Sequence, residues 1–202
     1  MCRQLRSAAV MTIALIVGLG VVYPLVVTAV AQVAFAHRAD GSLVTAGGKV
    51  VGSSLIGQGF SDAGGRALPQ YFQPRPSATT ANNRPSPYDP TNSGGSNLGP
   101  SDPGLLKSVG QRVADYRALN GLGASDAVPV DAVTASGSGL DPDISPANAL
   151  DQVNRVAAAR HLDAATVRAL VQAHRAARPW GFLGEETVNV LNINLALDRA
   201  AH

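Results

Sequence analysis

The sequence predicts an α/β protein: a single N-terminal transmembrane helix, followed by one extracytoplasmic α/β domain with a long irregular loop. Three observations predict it. Residues 8–36 carry no charged side chain. The chain is 46% apolar and only 15% charged, which is low for a wholly water-exposed fold. After residue 37, short alternating stretches and capped helical periods follow one another. These boundaries divide the chain into a cytoplasmic tail (1–7), a span (8–36) and an outer domain (37–202).

A helix needs roughly 20 apolar residues to cross about 30 Å of hydrocarbon, and the run from Ala8 to Ala36 exceeds that. Ala34-Phe35-Ala36 fits a signal-peptidase pattern. The apolar run is too long for a signal peptide, whose apolar core covers roughly 7–15 residues, so an uncleaved anchor is expected. Tyr23-Pro24 predicts a kink, because proline removes a helical N–H. Gly18 and Gly20 suit close helix–helix approach. Arg3 and Arg6 precede the span, so the positive-inside rule keeps the tail in the cytoplasm and sends the domain out, with Arg38 the one opposing charge. The chain is expected to cross its membrane once.

Those two arginines account for the whole formal charge of +2; the rest of the chain balances fourteen basic against fourteen acidic residues. A basic nucleic-acid face is therefore excluded. Cys2 is the only cysteine, so the domain folds without an internal disulfide.

Beyond the span, SLVT and KVVGSSLIG, within residues 37–59, read as a hairpin or two short strands packed near the membrane exit. Residues 61–104 are dense in Gly, Pro, Ser and Asn, but Phe60, Tyr71, Phe72 and Tyr88 offer anchors that a disordered linker would not need. An ordered irregular segment is expected. Asp102-Pro103 caps a first helix with the stripe Leu105, Leu106, Val109, Val113 and Leu119, closed by Asn120-Gly121. VPVDAVTAS (128–136) alternates like a strand, and GSGLDPD follows as a turn. Ser145-Pro146 starts a second helix carrying Leu150, Val153 and Ala157, and Asp163 a third carrying Val167, Leu170 and Val171. After the turn RPWGFLGEE, VNVLNINLAL reads as strand then helix.

Chemistry-bearing patterns are sparse. NSGGSNLGP (92–100) lacks the Lys of a phosphate-binding loop and the hydrophobic strand before it, so a shaped turn is the better reading of Ser93, Gly94, Gly95, Ser96 and Asn97. ASGSGL (135–140) misses the spacing of a nucleophile elbow. Asp141 and Asp143 lack calcium-loop spacing and suit turns and caps. His161 and His174 fall late in helices, where imidazole complements the negative dipole end. No catalytic residue, metal ligand or cofactor is expected.

Five peptides carry a resemblance: GSSLIGQGF (52–60), RPSAT (75–79), SGGSNLGPSDP (93–103), VTASGSGLDPDISPANALDQVNRVAAAR (133–160) and GFLGEETVNVLNINLALD (181–198). In order and spacing they resemble KdpC, the C-subunit family of the bacterial Kdp high-affinity potassium-transporting ATPase. Gln73-Pro74 stands before RPSA where the family usually has a Gly, and Trp180 precedes GFLGE. The resemblance implies three protein partners beside the membrane lipid: a channel-like potassium-translocating subunit, a P-type ATP-hydrolysing subunit and a small single-span subunit. ATP, Mg²⁺ and K⁺ then belong to the complex, and this subunit is implied to be non-catalytic. The family is described as a catalytic chaperone that raises the ATP affinity of the hydrolysing subunit, with a role in assembly, and SGGSN is sometimes the proposed nucleotide contact. Topology opposes direct contact, because an outer loop meets no useful ATP.

Residues expected to carry partner contacts or shape the fold are Arg75, Pro76, Ser77, Tyr88, the 93–97 loop with Gly99 and Pro100, and Ser136, Asp141, Ser145, Gln152 and Arg155. Arg75 and Arg155 are candidates for buried bidentate bonds to carboxylates or carbonyls, since Arg offers a rigid donor fork. The alternative reading is an anchored extracytoplasmic hydrolase or sensor domain.

Overall fold

The computed structural model describes residues 2–79 and 88–200. Part of the Pro- and Asn-rich stretch, residues 80–87, lies outside the described residues. The chain divides into two units, residues 1–43 and 44–202.

The first unit is dominated by one apolar helical run, Arg3–Ala39, long and apolar enough to cross a membrane. It comprises α1 (Cys2–Val17), a π-helical turn (Gly18–Val22) and α2 (Tyr23–Ala39). The expected distortion therefore lies one turn ahead of Pro24 rather than at it. The proline ring crowds the carbonyl four residues back, which is Gly20. Widening that turn accommodates it, and the Tyr23 N–H bonds five residues back to Gly18 O.

Starting at the boundary residue Leu43, β1 (Leu43–Ala46) and β2 (Lys49–Ser53) form a hairpin, one of the two arrangements expected. Its turn is Gly47-Gly48, both at positive φ (56° and 75°), which suits the right-handed twist of the paired strands. The remaining elements are α3 (Pro103–Asn120), α4 (Val130–Val133), β3 (Asp143–Ile144), α5 (Pro146–Arg160), α6 (Ala164–Ala173), β4 (Arg175–Ala176), β5 (Thr187–Asn189) and α7 (Val190–Ala200). The short antiparallel sheet has the order β3-β5-β4, with Ile144 opposite Val188 and Arg175 opposite Val188 on the other side. The domain is thus mixed helix and sheet, with helices supplying most of the packing surface.

The helix starts are local chemistry. Asp102 Oδ1 accepts from Gly104 N and Leu105 N, Ser145 Oγ from Asn148 N, and Asp163 Oδ1 from Ala165 N. Gly121 ends α3 in the left-handed region, and His161 ends α5 there, at φ 56°. His174 closes α6 with Nδ1 3.0 Å from Leu170 O. The core gathers Ile144, Val153, Val156, Val167, Val171, Val188, Ile193 and Leu197 around Phe72, which comes from the irregular segment.

Two expectations are corrected. Residues 128–136 form no strand: α4 lies there, with Val130 exposed and Val133 buried. Asp131 decides this, since its carboxylate accepts from Ser145 N, Ser145 Oγ and Asn148 Nδ2, a tertiary set that local alternation cannot reveal. The α3 stripe also differs. Leu105, Val109 and Val113 are half-buried, whereas Leu106 and Leu119 are exposed. The packed face instead continues through polar residues: Arg112 donates to Val133 O, Tyr116 to Asn148, and Asn120 lies buried.

Candidate functional site

The residues expected at the site fall into two clusters, each closing part of the irregular segment onto regular structure. The first joins residues 75–79, Tyr88 and the 93–95 loop to the turn at 136–141. Arg75 Nη1 donates to Asp141 Oδ2 at 2.8 Å, while Asp141 Oδ1 accepts from Asp143 N. Ser77 Oγ donates to Gly139 O at 2.7 Å and lies 2.8 Å from Thr79 Oγ1. Thr79 Oγ1 accepts from the backbone N–H groups of Tyr88 and Asp89. The Tyr88 hydroxyl donates to Arg75 O, and its ring lies against Gly57. A Cβ on Gly57 would fall 2.3 Å from Tyr88 Cε1 and 2.6 Å from Asp141 O, so this contact requires glycine. Burial pushes the Tyr88 phenol well above its ordinary value, with Asp141 adding to the rise, so it stays a protonated donor.

The loop 93–97 is docked by its backbone. Gly94 N donates to Ser138 O at 2.8 Å and Ser93 Oγ to the same carbonyl at 3.1 Å. A Cβ on Gly95 would lie 3.1 Å from Gly137 O. Facing it, Gly139 sits at φ +67°, where a Cβ would meet Thr79 Cγ2 at 2.5 Å and Gly94 O at 2.6 Å. Ser136 is buried beneath this contact, its Oγ 3.5 Å from Ser138 Oγ. Ser96, Asn97, Gly99 and Pro100 remain exposed, with Asn97 at φ 53° and Gly99 O accepting from Asp102 N. A phosphate cradle needs converging free amides; here the Gly94 amide already serves the fold. Pro76 lines a shallow cleft of about 200 Å³ with Phe60, Gln73, Arg75, Ser77 and Tyr88. Arg75 Nε is buried there without a hydrogen-bond partner among the described residues.

The second cluster centres on α5. Gln152 is buried; its Oε1 accepts from Gln73 N at 2.7 Å and Nε2 donates to Gln73 O at 3.1 Å. Arg155 fans over carbonyls and amides: Nη1 to Pro69 O (2.6 Å) and Tyr71 O (2.9 Å), Nε to Asn120 Oδ1, and Nη2 to Gln152 Oε1. Ser145 is both cap and donor to Asp131. Within the chain Arg75 meets the Asp141 carboxylate through Nη1 alone, in a half-buried pair, and Arg155 spreads one nitrogen over two carbonyls, so neither forms the bidentate fork. Among the described residues no three His, Cys, Asp or Glu side chains gather as a metal-binding group.

A family model described as KdpC: K+-transporting ATPase, c chain, matches residues 5–199. The chain belongs to the KdpC family. Among its relatives, each called a potassium-transporting ATPase KdpC subunit, one from Sorangium cellulosum is 53% identical over 99% of this chain and 100% of its own length. One from Variovorax paradoxus is 52% identical over 98% and 96%. One from Mycobacterium tuberculosis is 49% identical over 98% and 100%.

Several residues that build this KdpC-family site escaped the sequence reading. Asn194 accepts from Phe72 N at 2.8 Å and donates to Phe72 O at 3.0 Å, replacing a missing strand neighbour. Arg160 donates to Gln70 O and Asp198, with its guanidinium carbon 4.7 Å from the centre of the Tyr71 ring. Tyr116, Asn120, Asp131 and Asn148 complete the polar layer. One signal was available: an Asn inside the apolar run LNINLAL must find a partner if it is buried.

Proposed function

We propose that this chain is a non-catalytic accessory subunit of an ATP-driven potassium-uptake complex, with its domain clamped on the outer face of a channel-like partner. Family membership supplies the complex. The observation that carries the finer reading is the engagement of the motif side chains within the chain: Arg75 with Asp141, Ser77 with Gly139, Arg155 with Pro69 and Tyr71. Such groups shape a surface rather than act on a substrate. The helix Arg3–Ala39, with Arg3 and Arg6 at its start, supports an inside N-terminus and an outer domain. On this reading phosphoryl transfer belongs to the P-type partner. Any effect on its ATP affinity travels through the span or the channel subunit, as a coupling between two states of the complex.

The test is the side of the membrane on which the 93–97 loop lies. In a Cys2→Ser background, Ser96→Cys in the whole complex is treated with an impermeant thiol reagent in intact cells. Labelling before lysis supports the outer placement; labelling only after lysis overturns it and reopens nucleotide contact. Removing residues 1–36 should abolish recovery of the chain with its partners, and normal co-purification would refute the anchor's role.

A further inference from the structure

Asn120-Gly121, at the end of α3, is the one Asn-Gly pair in the sequence. In an unfolded chain such a pair deamidates readily, because glycine has no Cβ to hinder attack of its own nitrogen on the preceding carboxamide. The reaction needs water alone. Gly121 N gives up its proton and bonds to Asn120 Cγ, the Cγ–Nδ2 bond breaks, and the amide nitrogen leaves as ammonia. Water then opens the five-membered imide, at Cγ to give aspartate or at the backbone carbonyl to give isoaspartate.

The fold obstructs each part of this step. Asn120 is buried, and both ends of its carboxamide are engaged. Nδ2 donates to Tyr116 O at 3.0 Å, and Oδ1 accepts from Arg155 Nε at 2.9 Å, so the group is held in one rotamer, away from Gly121 N. The attacking nitrogen is engaged too: the Gly121 N–H donates to Arg117 O in the left-handed cap, at φ 66°. Leu122 N bonds the same carbonyl at 3.0 Å, and Gly123 N donates to Asp126 Oδ2 at 2.7 Å, which fixes the chain beyond the pair. Tyr116 O and Arg117 O belong to α3 itself. Arg155 reaches across from α5, and is itself positioned by Pro69 O, Tyr71 O and Gln152 Oε1.

We propose that Asn120-Gly121 is a latent deamidation site, kept inert by Arg155 as a positioning residue, and that opening of the α3–α5 polar layer converts it irreversibly. Either product hinders reclosure. Aspartate turns a carboxylate oxygen toward Tyr116 O, where the native amide donates. Isoaspartate adds a backbone carbon at the last residue of α3. The pair is thus a one-way record of opening in this layer, and it needs neither the membrane span nor a partner subunit.

The full chain in detergent is held in warm, mildly alkaline buffer, and peptide mapping by mass spectrometry follows aspartate and isoaspartate at position 120. Exposed Asn92, followed by Ser93, is the internal clock in the same digest. Asn120 should react more slowly than Asn92 in the folded chain and faster than Asn92 in urea. Arg155→Met should raise the rate at 120 by about tenfold or more while near-ultraviolet circular dichroism still reports a folded domain, with Asn92 unchanged. Val156→Ala weakens α5 at a buried core position and keeps Arg155, so its rate at 120 should stay several-fold below that of Arg155→Met. If Arg155→Met does not fold, a urea series on the unaltered chain decides: the rate at 120 should climb before the near-ultraviolet signal is lost. Reaction at 120 as fast in the folded chain as in urea overturns the proposal. So does equal acceleration by Val156→Ala and Arg155→Met, or a urea series in which the rate climbs only with global unfolding.

Discussion

Two irregular stretches of this chain are fixed by opposite means. Residues 69–73 are held by side chains reaching in from helices: Asn194 on both backbone groups of Phe72, Gln152 on both of Gln73, and Arg155 and Arg160 on neighbouring carbonyls. Residues 93–95 are held by the lack of side chains, which lets one backbone lie against another at 137–139. In the first stretch, amide side chains stand in for the strand that would otherwise pair with it. In the second, glycine removes the atoms that would keep two turns apart. The first should therefore fail when a donor or acceptor is lost, the second when a single carbon is added.

The largest effect is expected from Asn194→Leu. It leaves the buried Phe72 N–H and C=O unpaired, at about 1–3 kcal/mol for each group. The thermal midpoint of the full chain in detergent, followed by near-ultraviolet circular dichroism, should fall sharply. A midpoint near that of the unaltered chain would mean that the amide clamp contributes little.

Next comes Gly139→Ala, whose new carbon meets Thr79 and the Gly94 carbonyl at a left-handed position. A loss of about 2 kcal/mol is expected from strain and displacement together. Gly137→Ala is the control: its Cβ would have nothing within 4 Å. Equal losses from the two would show that backbone approach is not what docks the 93–95 loop.

The smallest effect concerns the polar layer that supports the first stretch. Burial raises the Asp151 carboxyl above the ordinary aspartate value of 3.8, partly offset by its bond from Tyr116. A raised acid binds its proton more tightly in the folded chain. Its contribution is fully present below about pH 3.8 and is lost as pH climbs through the folded-state value. Asp151→Asn should therefore flatten that part of the stability profile and stabilise by a few tenths of a kcal/mol at pH 7, since the group is partly exposed. An unchanged slope between pH 3 and about 6 would contradict the burial account.

Much of the fold was legible because its signals are local. Asp102-Pro103, Ser145-Pro146 and Asp163 mark helix starts with residues that bond their own first turn. The reading of VNVLNINLAL as strand then helix matches the passage from β5 to α7. What stayed hidden depends on distant partners. The helical state of Val130–Val133 follows from Asp131 serving Ser145 and Asn148. The role of Asn194 spans 122 positions to Phe72. Leu106 and Leu119 fit a helical stripe yet stay exposed, because Tyr116 and Asn120 turn α3 by hydrogen bonding. The site residues were recognisable as a set, but their being one another's partners was not.

The π-helical turn at Gly18–Val22 has a consequence for the span itself. A π turn takes one residue more than an α turn, which rotates everything after it by about 100°. The side chains of α1 and α2 therefore run out of phase. A stripe that follows one azimuth along residues 2–17 does not continue along residues 23–39. One helix thus offers two different flanks at two depths of the bilayer, where an uninterrupted helix of the same sequence would offer one.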